Sequence, residues 1–256
     1  MMSEFVVVIP SRFASARLPG KPLLEINGKT MIQHAYERGM ESGASEVVIA
    51  TDDERIAEAA EAFGATVCMT RSDHQSGTER IAEVSDFFDW DDSQIVVNLQ
   101  GDEPTMPAVL INQCAELLAD QSADIATLAS PFASRDDFES PNCVKVVRDM
   151  HGHALYFSRA VIPYARDTSH RELAQGTALH HHGIYAYRCG VLRRFVSAKP
   201  SPLEISEQLE QLRALSLGMT IAVDIPALRP GIGVDTAEDL QRAAEELLLM
   251  SETTGQ

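Results

Sequence analysis

Basic residues are scarce in this chain of 256 residues. It has 21 Lys and Arg against 38 Asp and Glu, which gives a formal net charge of −17 at pH 7. Binding to a phosphate backbone or to an anionic membrane surface needs clustered positive charge. The composition therefore argues against nucleic acid and membrane lipid as partners. Hydrophobic residues make up 45% of the chain, enough for the sizeable core of an ordinary globular protein.

Cysteines and long apolar runs are also few. The four cysteines, Cys68, Cys114, Cys143 and Cys189, are too far apart for a zinc or redox motif, so we expect reduced, buried thiols. No stretch approaches the roughly 20 apolar residues that a membrane helix needs. The first residues include Glu4 where a secretory signal has basic residues, and the apolar run that follows is short. We therefore expect a cytoplasmic protein without membrane insertion.

Short apolar, β-branched runs alternate with amphipathic stretches in the first 150 residues. They predict buried strands at residues 5–9, 47–50, 66–69, 95–99 and 125–129. Strands that alternate with helices in this way form right-handed βαβ units. The predicted fold class is α/β, with a mostly parallel central sheet and helices on both faces.

The pattern changes after residue 149. We predict strands at 154–157, 183–187 and 221–223, helices at 206–216 and from 236 to about 250, and a polar, mobile surface loop at 166–178. We interpret the chain as a single domain, residues 1–256, with a first part at about 1–149 and a smaller second part at about 150–250.

Positive charge is concentrated in the loop that follows the first predicted strand. The segment PSRFASARLPGKPL, residues 10–23, contains Arg12, Arg17 and Lys21 and no acidic residue. Ligands of open α/β sheets bind beyond the carboxyl ends of the strands, where this loop lies. In a strongly acidic protein, this loop is better explained as an anion site than as a solvated surface.

The familiar phosphate-binding motifs are absent. Gly28-Lys29-Thr30 resembles the end of a P-loop, but Leu23 stands where that motif needs its first glycine, and no GxGxxG follows the first strand. We interpret Asn27-Gly28 as a turn that leads into a helix beginning near Thr30.

Acidic residues follow two other predicted strands. The segment QGDEP, residues 100–104, places Asp102 at the end of the fourth strand, and GVDT, residues 233–236, places Asp235 just before the last helix. Two carboxylates from distant segments suit a Mg²⁺ ion beside phosphates, because that ion takes only one or two protein oxygens. Either aspartate could also be a simple helix N-cap, so the metal hypothesis depends on the two lying together.

An ordered series of motifs resembles one enzyme family. IPSRFASARLPGKPL, ATDDERI, HQSGTERI, NLQGDEP, NCVKVVRD, ALYFSRAVIPY, HHGIYAYR, LEQLRAL and GVDTAEDL are similar to segments of the 3-deoxy-D-manno-octulosonate cytidylyltransferases, or CMP-Kdo synthetases. The resemblance implies the nucleotide-diphospho-sugar transferase type of Rossmann-like fold. It also implies transfer of the cytidylyl group of CTP to the anomeric hydroxyl of Kdo, an acidic eight-carbon sugar, with release of pyrophosphate, for lipopolysaccharide biosynthesis.

The same resemblance assigns the nucleotide side of the site to the first part of the chain. Catalytic roles fall to Arg12, Lys21, Asp102 and Asp235, with Mg²⁺ as the cofactor and the two aspartates as its ligands. Arg12, Arg17 and Lys21 would hold the β- and γ-phosphates. The nucleotide-binding set as a whole is Pro10, Ser11, Arg12, Arg17, Lys21, Ser76, Gly77 and Asp102.

The second part of the chain is assigned by the resemblance to sugar binding and to formation of a homodimer. The sugar-binding candidates are Arg80, Gln100, Arg159, His181, Tyr185, Glu210 and Gln211. Arg80 and Arg159 are suited to the carboxylate of Kdo, and the alternative for Arg159 is a structural ion pair. Glu210 and Gln211 are expected on one helix, reading the sugar and not the base, unless Glu210 pairs with Arg213 or Arg193 at the surface.

The run His180-His181-His182 does not favour zinc. Adjacent residues of an extended segment point to opposite faces, and no further His or Cys has ligand spacing. His181 matches the sugar-contacting histidine of the family.

Two other functions stay open. One is a cytidylyltransferase for another acidic sugar, either sialic acid or 8-amino-8-deoxy-Kdo, and the other is a non-catalytic nucleotide-binding regulator. The segments GDEP and LEQLR favour Kdo, and the presence of both aspartates argues against a regulator.

Overall fold

The computed structural model describes residues 4–14 and 18–254, so the predicted phosphate ligand Arg17 lies outside the described residues. The strands are β1 Phe5–Ser11, β2 Glu25–Ile26, β3 Lys29–Thr30, β4 Glu46–Thr51, β5 Thr66–Met69, β6 Ile95–Asn98, β7 Ile125–Pro131, β8 Lys145–Arg148, β9 Ala154–Ser158, β10 Leu179–Arg188 and β11 Ile221–Asp224. The α-helices are α1 Met31–Met40, α2 Glu54–Ala62, α3 Gly77–Phe87, α4 Ala108–Asp120, α5 Arg135–Glu139, α6 Arg171–Thr177, α7 Cys189–Ser197, α8 Pro202–Glu207, α9 Gln211–Ser216 and α10 Ala237–Thr254.

One twisted sheet joins strands from both parts of the chain. Its main order is β11-β7-β10-β6-β1-β4-β5, and β8 and β9 extend it as an antiparallel pair beside β10. Neighbouring strands are parallel except where β10 runs antiparallel between β6 and β7. The predicted α/β class with a mostly parallel sheet is confirmed.

Apolar layers cover both faces of this sheet. Alternate residues of β1 point to opposite sides: Val7 and Ile9 pack with α1 and α4, whereas Val6 and Val8 pack with α3 and α7. A strand buried on both faces is apolar throughout, which is why the run in β1 lacks polar alternation. Three cysteines are buried as expected, and Cys143 is only partly buried. Within the described residues, no helix is long and apolar enough to cross a membrane.

Local signals set several boundaries, of which the sequence predicts the first two. Asn27 and Gly28 have positive φ angles of 51° and 82° and form the two-residue turn of the β2–β3 hairpin. Thr30 then caps α1, because its hydroxyl accepts from the Gln33 N–H. Ser76 caps α3 in the same way, accepting from the Glu79 N–H. This second cap places the residues before α3 at the carboxyl edge of the sheet.

Two predicted segments were wrong. The helix predicted at 206–216 is two short helices, α8 and α9, because the backbone turns left-handed at Gln208 with φ 53°. Leu209 and Leu212 are both buried, so the apolar spacing continues across the break and hides it. The loop predicted at 166–178 contains α6, which buries Ala174. Strands β2, β3 and β8 and helices α5 and α7 were not predicted.

Candidate active site

A polar cleft of about 420 Å³ opens at the carboxyl ends of β1 and β6. The loop after β1 lines one side, and the residues that cap α3 line another. Seven of the eight predicted nucleotide-binding residues lie on its wall, namely Pro10, Ser11, Arg12, Lys21, Ser76, Gly77 and Asp102. Gly77 brings the start of α3 close to the end of β1, since a Cβ there would lie 3.1 Å from the Pro10 side chain. The predicted nucleotide residues are thus brought together around one cleft.

A second cavity of about 260 Å³ adjoins the cleft. The two share Gly77, Gln100 and Glu210 in their walls. Five of the predicted sugar-binding residues line the second cavity: Gln100, His181, Tyr185, Glu210 and Gln211. Thr78, Asn98 and Tyr187 also line it and were not predicted, although they belong to the motifs HQSGTERI, NLQGDEP and HHGIYAYR.

Asp102 and Asp235 lie together, and Lys21 lies between them. The Lys21 ammonium is 2.6 Å from Asp102 Oδ2 and 3.1 Å from Asp235 Oδ1. The lysine side chain is only 11% exposed, so this cation is held inside the cleft rather than in solvent. The sequence predicted that Lys21 binds the phosphates and that the two aspartates bind a metal ion. In the ligand-free site, all three form one charge cluster.

The loop that carries Asp235 packs on the loop that carries Asp102 at backbone distance. The Ile232 N–H donates to Thr105 Oγ1 at 2.7 Å, and the Val234 N–H donates to the Asp102 carbonyl at 2.9 Å. A Cβ on Gly231 would lie 2.3 Å from Thr105 Oγ1 and 2.4 Å from the Thr105 carbonyl oxygen. Only glycine allows this approach, which fixes Asp235 opposite Asp102.

The caps of the neighbouring helices are formed by other residues. Thr236 Oγ1 accepts from the Asp239 N–H, and the Asp239 carboxylate accepts from the Thr236 N–H, which caps the first turn of α10. Helix α4 begins at Ala108, well past Asp102. The N-cap interpretation therefore does not account for either aspartate.

Glu103 adds a third carboxyl group beside the cluster. Burial raises the pKa of Glu103 to about 8, and the charge of Asp102 acts in the same direction while Lys21 opposes it. A carboxyl group with this pKa is largely protonated at neutral pH. Two carboxylates, not three, then face the single ammonium of Lys21.

The two predicted arginine ligands of the sugar are held by other groups. Arg80 is almost fully buried, with its guanidinium 3.3 Å from Asp52 Oδ2 and hydrogen-bonded to Thr70, and it lines the cleft but not the second cavity. Arg159 lines neither. Its guanidinium donates to the backbone carbonyls of Glu207 and Pro141 at 2.8 and 3.1 Å, and these two contacts are structural hydrogen bonds and not ion pairs.

Glu210 joins the two cavities instead of facing only the sugar side. It accepts a hydrogen bond from Thr78 Oγ1 at 2.7 Å. Burial raises the pKa of Glu210, and hydrogen bonds from Thr78 and Ser76 oppose that shift. The surface alternative is wrong, because Arg213 pairs with Glu204 at 2.6 Å, while Arg193 pairs with Asp86 and Asp92. A change at Glu210 should affect nucleotide and sugar together.

The three histidines of β10 divide between the two faces of the sheet, as an extended segment requires. His180 stacks on Phe132 and His182 contacts Ser130 on one face. His181 packs against Phe157 and Tyr185 on the other, beside the second cavity. Burial lowers the pKa of His181 to about 3 and that of His182 to about 4, with the neighbouring histidines acting in the same direction. Both rings are neutral at pH 7.

Comparison with known proteins agrees with this geometry. A family model described as cytidylyltransferase matches residues 6–221. The chain belongs to the cytidylyltransferase family. It is 42% identical to a solved CMP:2-keto-3-deoxy-manno-octonic acid synthetase complexed with CTP, with a TM-score of 0.87 over 98% of this chain and 100% of that one.

More distant cytidylyltransferases share the fold. A cytidylyltransferase from Leptospira borgpetersenii serovar Hardjo-bovis is 16% identical with a TM-score of 0.60, over 100% of this chain and 96% of that one. A 4-diphosphocytidyl-2C-methyl-D-erythritol synthase is 14% identical with a TM-score of 0.63, over 95% and 99%. The resemblance drawn from the ordered motifs is confirmed at the level of the family and the fold.

The contact at Gly231 predicts that Gly231→Ala destabilises this cytidylyltransferase. The added methyl group must push apart two loops at backbone distance, and such overpacking costs about 1–3 kcal/mol. Urea denaturation measures the loss, and turnover should fall with it because Asp235 moves. Gly176→Ala is the control, since a Cβ there meets nothing within 4 Å. An unchanged free energy of unfolding for Gly231→Ala would contradict the proposed packing.

The buried histidines predict a loss of stability in acid. His181 and His182 have folded pKa values of about 3 and 4, and unfolded histidine titrates near ~6.5. The unfolded chain therefore takes up protons first as the pH falls below ~6.5, which lowers the free energy of unfolding by up to ~1.4 kcal/mol per pH unit for each histidine. Urea denaturation between pH 7.5 and 5 measures the slope. His182→Gln should reduce the pH dependence of the free energy of unfolding. An equal pH dependence in the variant would contradict the lowered pKa of His182.

Proposed function

We propose that this protein transfers the cytidylyl group of CTP to the anomeric hydroxyl of Kdo, giving CMP-Kdo and pyrophosphate for lipopolysaccharide biosynthesis. One observation carries the proposal: a charged cleft that adjoins a cavity whose polar side chains, Glu210 apart, are uncharged, in a chain 42% identical to a CMP:2-keto-3-deoxy-manno-octonic acid synthetase over 98% of its length. Such a pair of compartments suits a nucleoside triphosphate and a polyhydroxylated acceptor bound side by side.

The reaction needs positioning more than covalent help from the protein. The anomeric oxygen attacks the α-phosphorus of CTP, a new P–O bond forms, the hydroxyl proton is released, and the bond to the pyrophosphate oxygen breaks in line. Negative charge grows on the leaving oxygens, so nearby cations lower the barrier. Arg12 is exposed in the cleft and Lys21 is buried in it, and both are suited to the β- and γ-phosphates.

We further propose that Asp102 and Asp235 hold a Mg²⁺ ion when CTP is bound. The two carboxylates fit a cation, because they already hold the Lys21 ammonium between them. When bound, Mg²⁺ would supply Lewis-acid stabilisation of the phosphate oxygens. Lys21 then has to leave the carboxylates, and the triphosphate is the anion that draws it away.

The second cavity suits an acceptor with many hydroxyl groups. Gln100, Asn98 and Gln211 offer amide groups that both donate and accept, and Tyr185 offers a phenol. Glu210 lies where the two cavities meet, which supports a role in aligning sugar and nucleotide for transfer. Arg80 and Arg159 stay predictions for the Kdo carboxylate.

The homodimer stays a proposal, supported by apolar side chains that the second part of the chain exposes. Met150, Leu155, Tyr164, Leu173 and Ile205 are each more than half exposed. Where such side chains form a contiguous apolar patch, the patch commonly marks a site at which another protein binds. We propose that a second copy of this chain covers part of this exposed surface.

A pyrophosphate-release assay tests the proposed reaction. With CTP and Mg²⁺, we expect turnover with Kdo to exceed that with 8-amino-8-deoxy-Kdo or sialic acid by at least about tenfold in kcat/KM, because buried polar groups penalise a mismatched sugar. Asp102→Asn should lower kcat by at least about 100-fold. Asp92→Asn, at an exposed carboxylate that pairs with Arg193, is the matched control. CTP binding without pyrophosphate release from any of the three sugars would favour a regulator instead.

Lys21→Met tests the charge cluster directly. Removing the ammonium takes away a cation that contacts both Asp102 and Asp235, and a pair of unit charges 4 Å apart interacts by about 4 kcal/mol at an effective dielectric of 20. We therefore expect Mn²⁺ to bind the nucleotide-free variant at least about tenfold more tightly than the wild type, measured by electron paramagnetic resonance. Lys29→Met, which removes an exposed lysine paired with Glu37, is the control. Equal Mn²⁺ affinity in Lys21→Met and in the wild type would mean that Lys21 does not compete with a metal ion for the two carboxylates.

A further inference from the structure

We propose that Thr127 fixes the ring tautomer of His181, so that His181 presents a hydrogen-bond acceptor, Nδ1, to the sugar cavity. The inference extends the proposed function, on which its kinetic part rests. It names Thr127 as a positioning residue and makes a hydroxyl group of the sugar the donor to His181. Thr127 belongs to none of the predicted sites.

The position of Thr127 is set by an irregularity in β10. His182 pairs with Leu128 of β7, and Tyr185 pairs with Thr127, so two residues of β10, Gly183 and Ile184, have no partner in β7. Such a bulge leaves backbone carbonyls without their ladder donors. Thr127 Oγ1 lies 2.7 Å from the Ile184 carbonyl oxygen and 3.2 Å from that of His182.

The Thr127 hydroxyl has a single proton, which it donates to a backbone carbonyl of the bulge. Thr127 is fully buried, so no bulk water competes for that proton. The Ile184 carbonyl, at 2.7 Å, is the nearer acceptor. Because a hydroxyl group offers one donor and two acceptor lone pairs, what Thr127 Oγ1 presents in every other direction is an acceptor.

His181 Nε2 lies 3.1 Å from this same oxygen. Two lone pairs at that distance would repel, so Nε2 must carry a proton and donate it to Thr127. Burial lowers the pKa of His181 to about 3, which keeps the ring neutral. A neutral imidazole has one N–H, and Nδ1 is therefore the unprotonated nitrogen.

The His181 ring is held so that Nδ1 can accept a hydrogen bond in the second cavity. Phe157 contacts it edge-on with ring centroids 5.1 Å apart, and Tyr185 lies at 5.2 Å on the cavity wall. Within residues 4–14 and 18–254, Nδ1 has no hydrogen-bond partner. His181 lines the second cavity, so an acceptor there favours a sugar hydroxyl that can donate.

The tautomer can be measured without any substrate. Long-range ¹H–¹⁵N correlation spectra of protein labelled with ¹⁵N-histidine distinguish protonation at Nε2 from protonation at Nδ1, and the His181 signals are identified by their loss in His181→Gln. We expect Nε2–H in the wild type and in Thr127→Ser, and a mixture or Nδ1–H in Thr127→Val, which keeps the shape but not the hydroxyl. Nδ1–H in the wild type overturns the proposal, as does a Thr127→Val spectrum like that of the wild type.

Steady-state kinetics supply the second readout. Thr127→Val should raise KM for Kdo by at least about fivefold, leave KM for CTP within about twofold, and be rescued by Thr127→Ser. A merely structural role would lower stability and affect both substrates without changing the tautomer. If the protein does not use Kdo, the predicted change in KM is not seen, but the spectra still report the protonation site of His181. The two readouts therefore distinguish a wrong proposed function from a wrong tautomer.

Discussion

Two carboxylates from distant segments of the chain share one ammonium group at the end of β6. Asp102 and Asp235 would repel each other across the cleft without the charge of Lys21. The cluster requires three segments to meet: the short 3₁₀ helix Lys21–Leu23, the loop after β6, and the loop before α10. Glycine at 231 allows the last two to approach at backbone distance. This junction places Lys21, Asp102 and Asp235 on the wall of the cleft.

The sheet explains why the second cavity opens beside that junction. Strand β10 runs antiparallel between β6 and β7, and Tyr185 pairs with Asn98 at the last residue of β6. The earlier residues of β10, including His181, therefore lie toward the carboxyl edge, where the parallel strands also end. An antiparallel insertion thus brings side chains from the second part of the chain to the ligand edge of a parallel sheet. Transfer between two bound substrates needs this closeness.

The bulge in β10 has a local cost in backbone hydrogen bonding. It frees carbonyl groups inside the sheet, and the one proton of a buried threonine hydroxyl is donated to the nearer of them, that of Ile184. Buried polar groups of this kind are kept only when each has a partner. The histidine beside that hydroxyl is neutral because burial disfavours its charged form. Stability of the sheet and the hydrogen-bonding character of the cavity are therefore linked through one side chain.

Much of the fold was readable from local sequence. The apolar runs of β1, β4, β5, β6 and β7 predicted the parallel sheet, because buried strands are apolar on both faces. Asn27-Gly28 and Thr30 gave the hairpin turn and the helix start through conformational preferences that act within a few residues. The break at Gln208 was missed, since buried leucines on both sides of it continue a helical spacing.

The candidate residues were determined by the sequence, but their partners were decided by the tertiary structure. Ordered motifs named Lys21, Asp102 and Asp235, yet no local pattern records that an ammonium lies between two carboxylates, because that contact joins segments far apart in the chain. Arg159 likewise has a charge that suits a sugar carboxylate. In the folded chain, its guanidinium donates hydrogen bonds to backbone carbonyls. Composition and motif select the chemical groups available to a site. Which of them face one another depends on how distant strands and loops pack, and only the folded chain decides that.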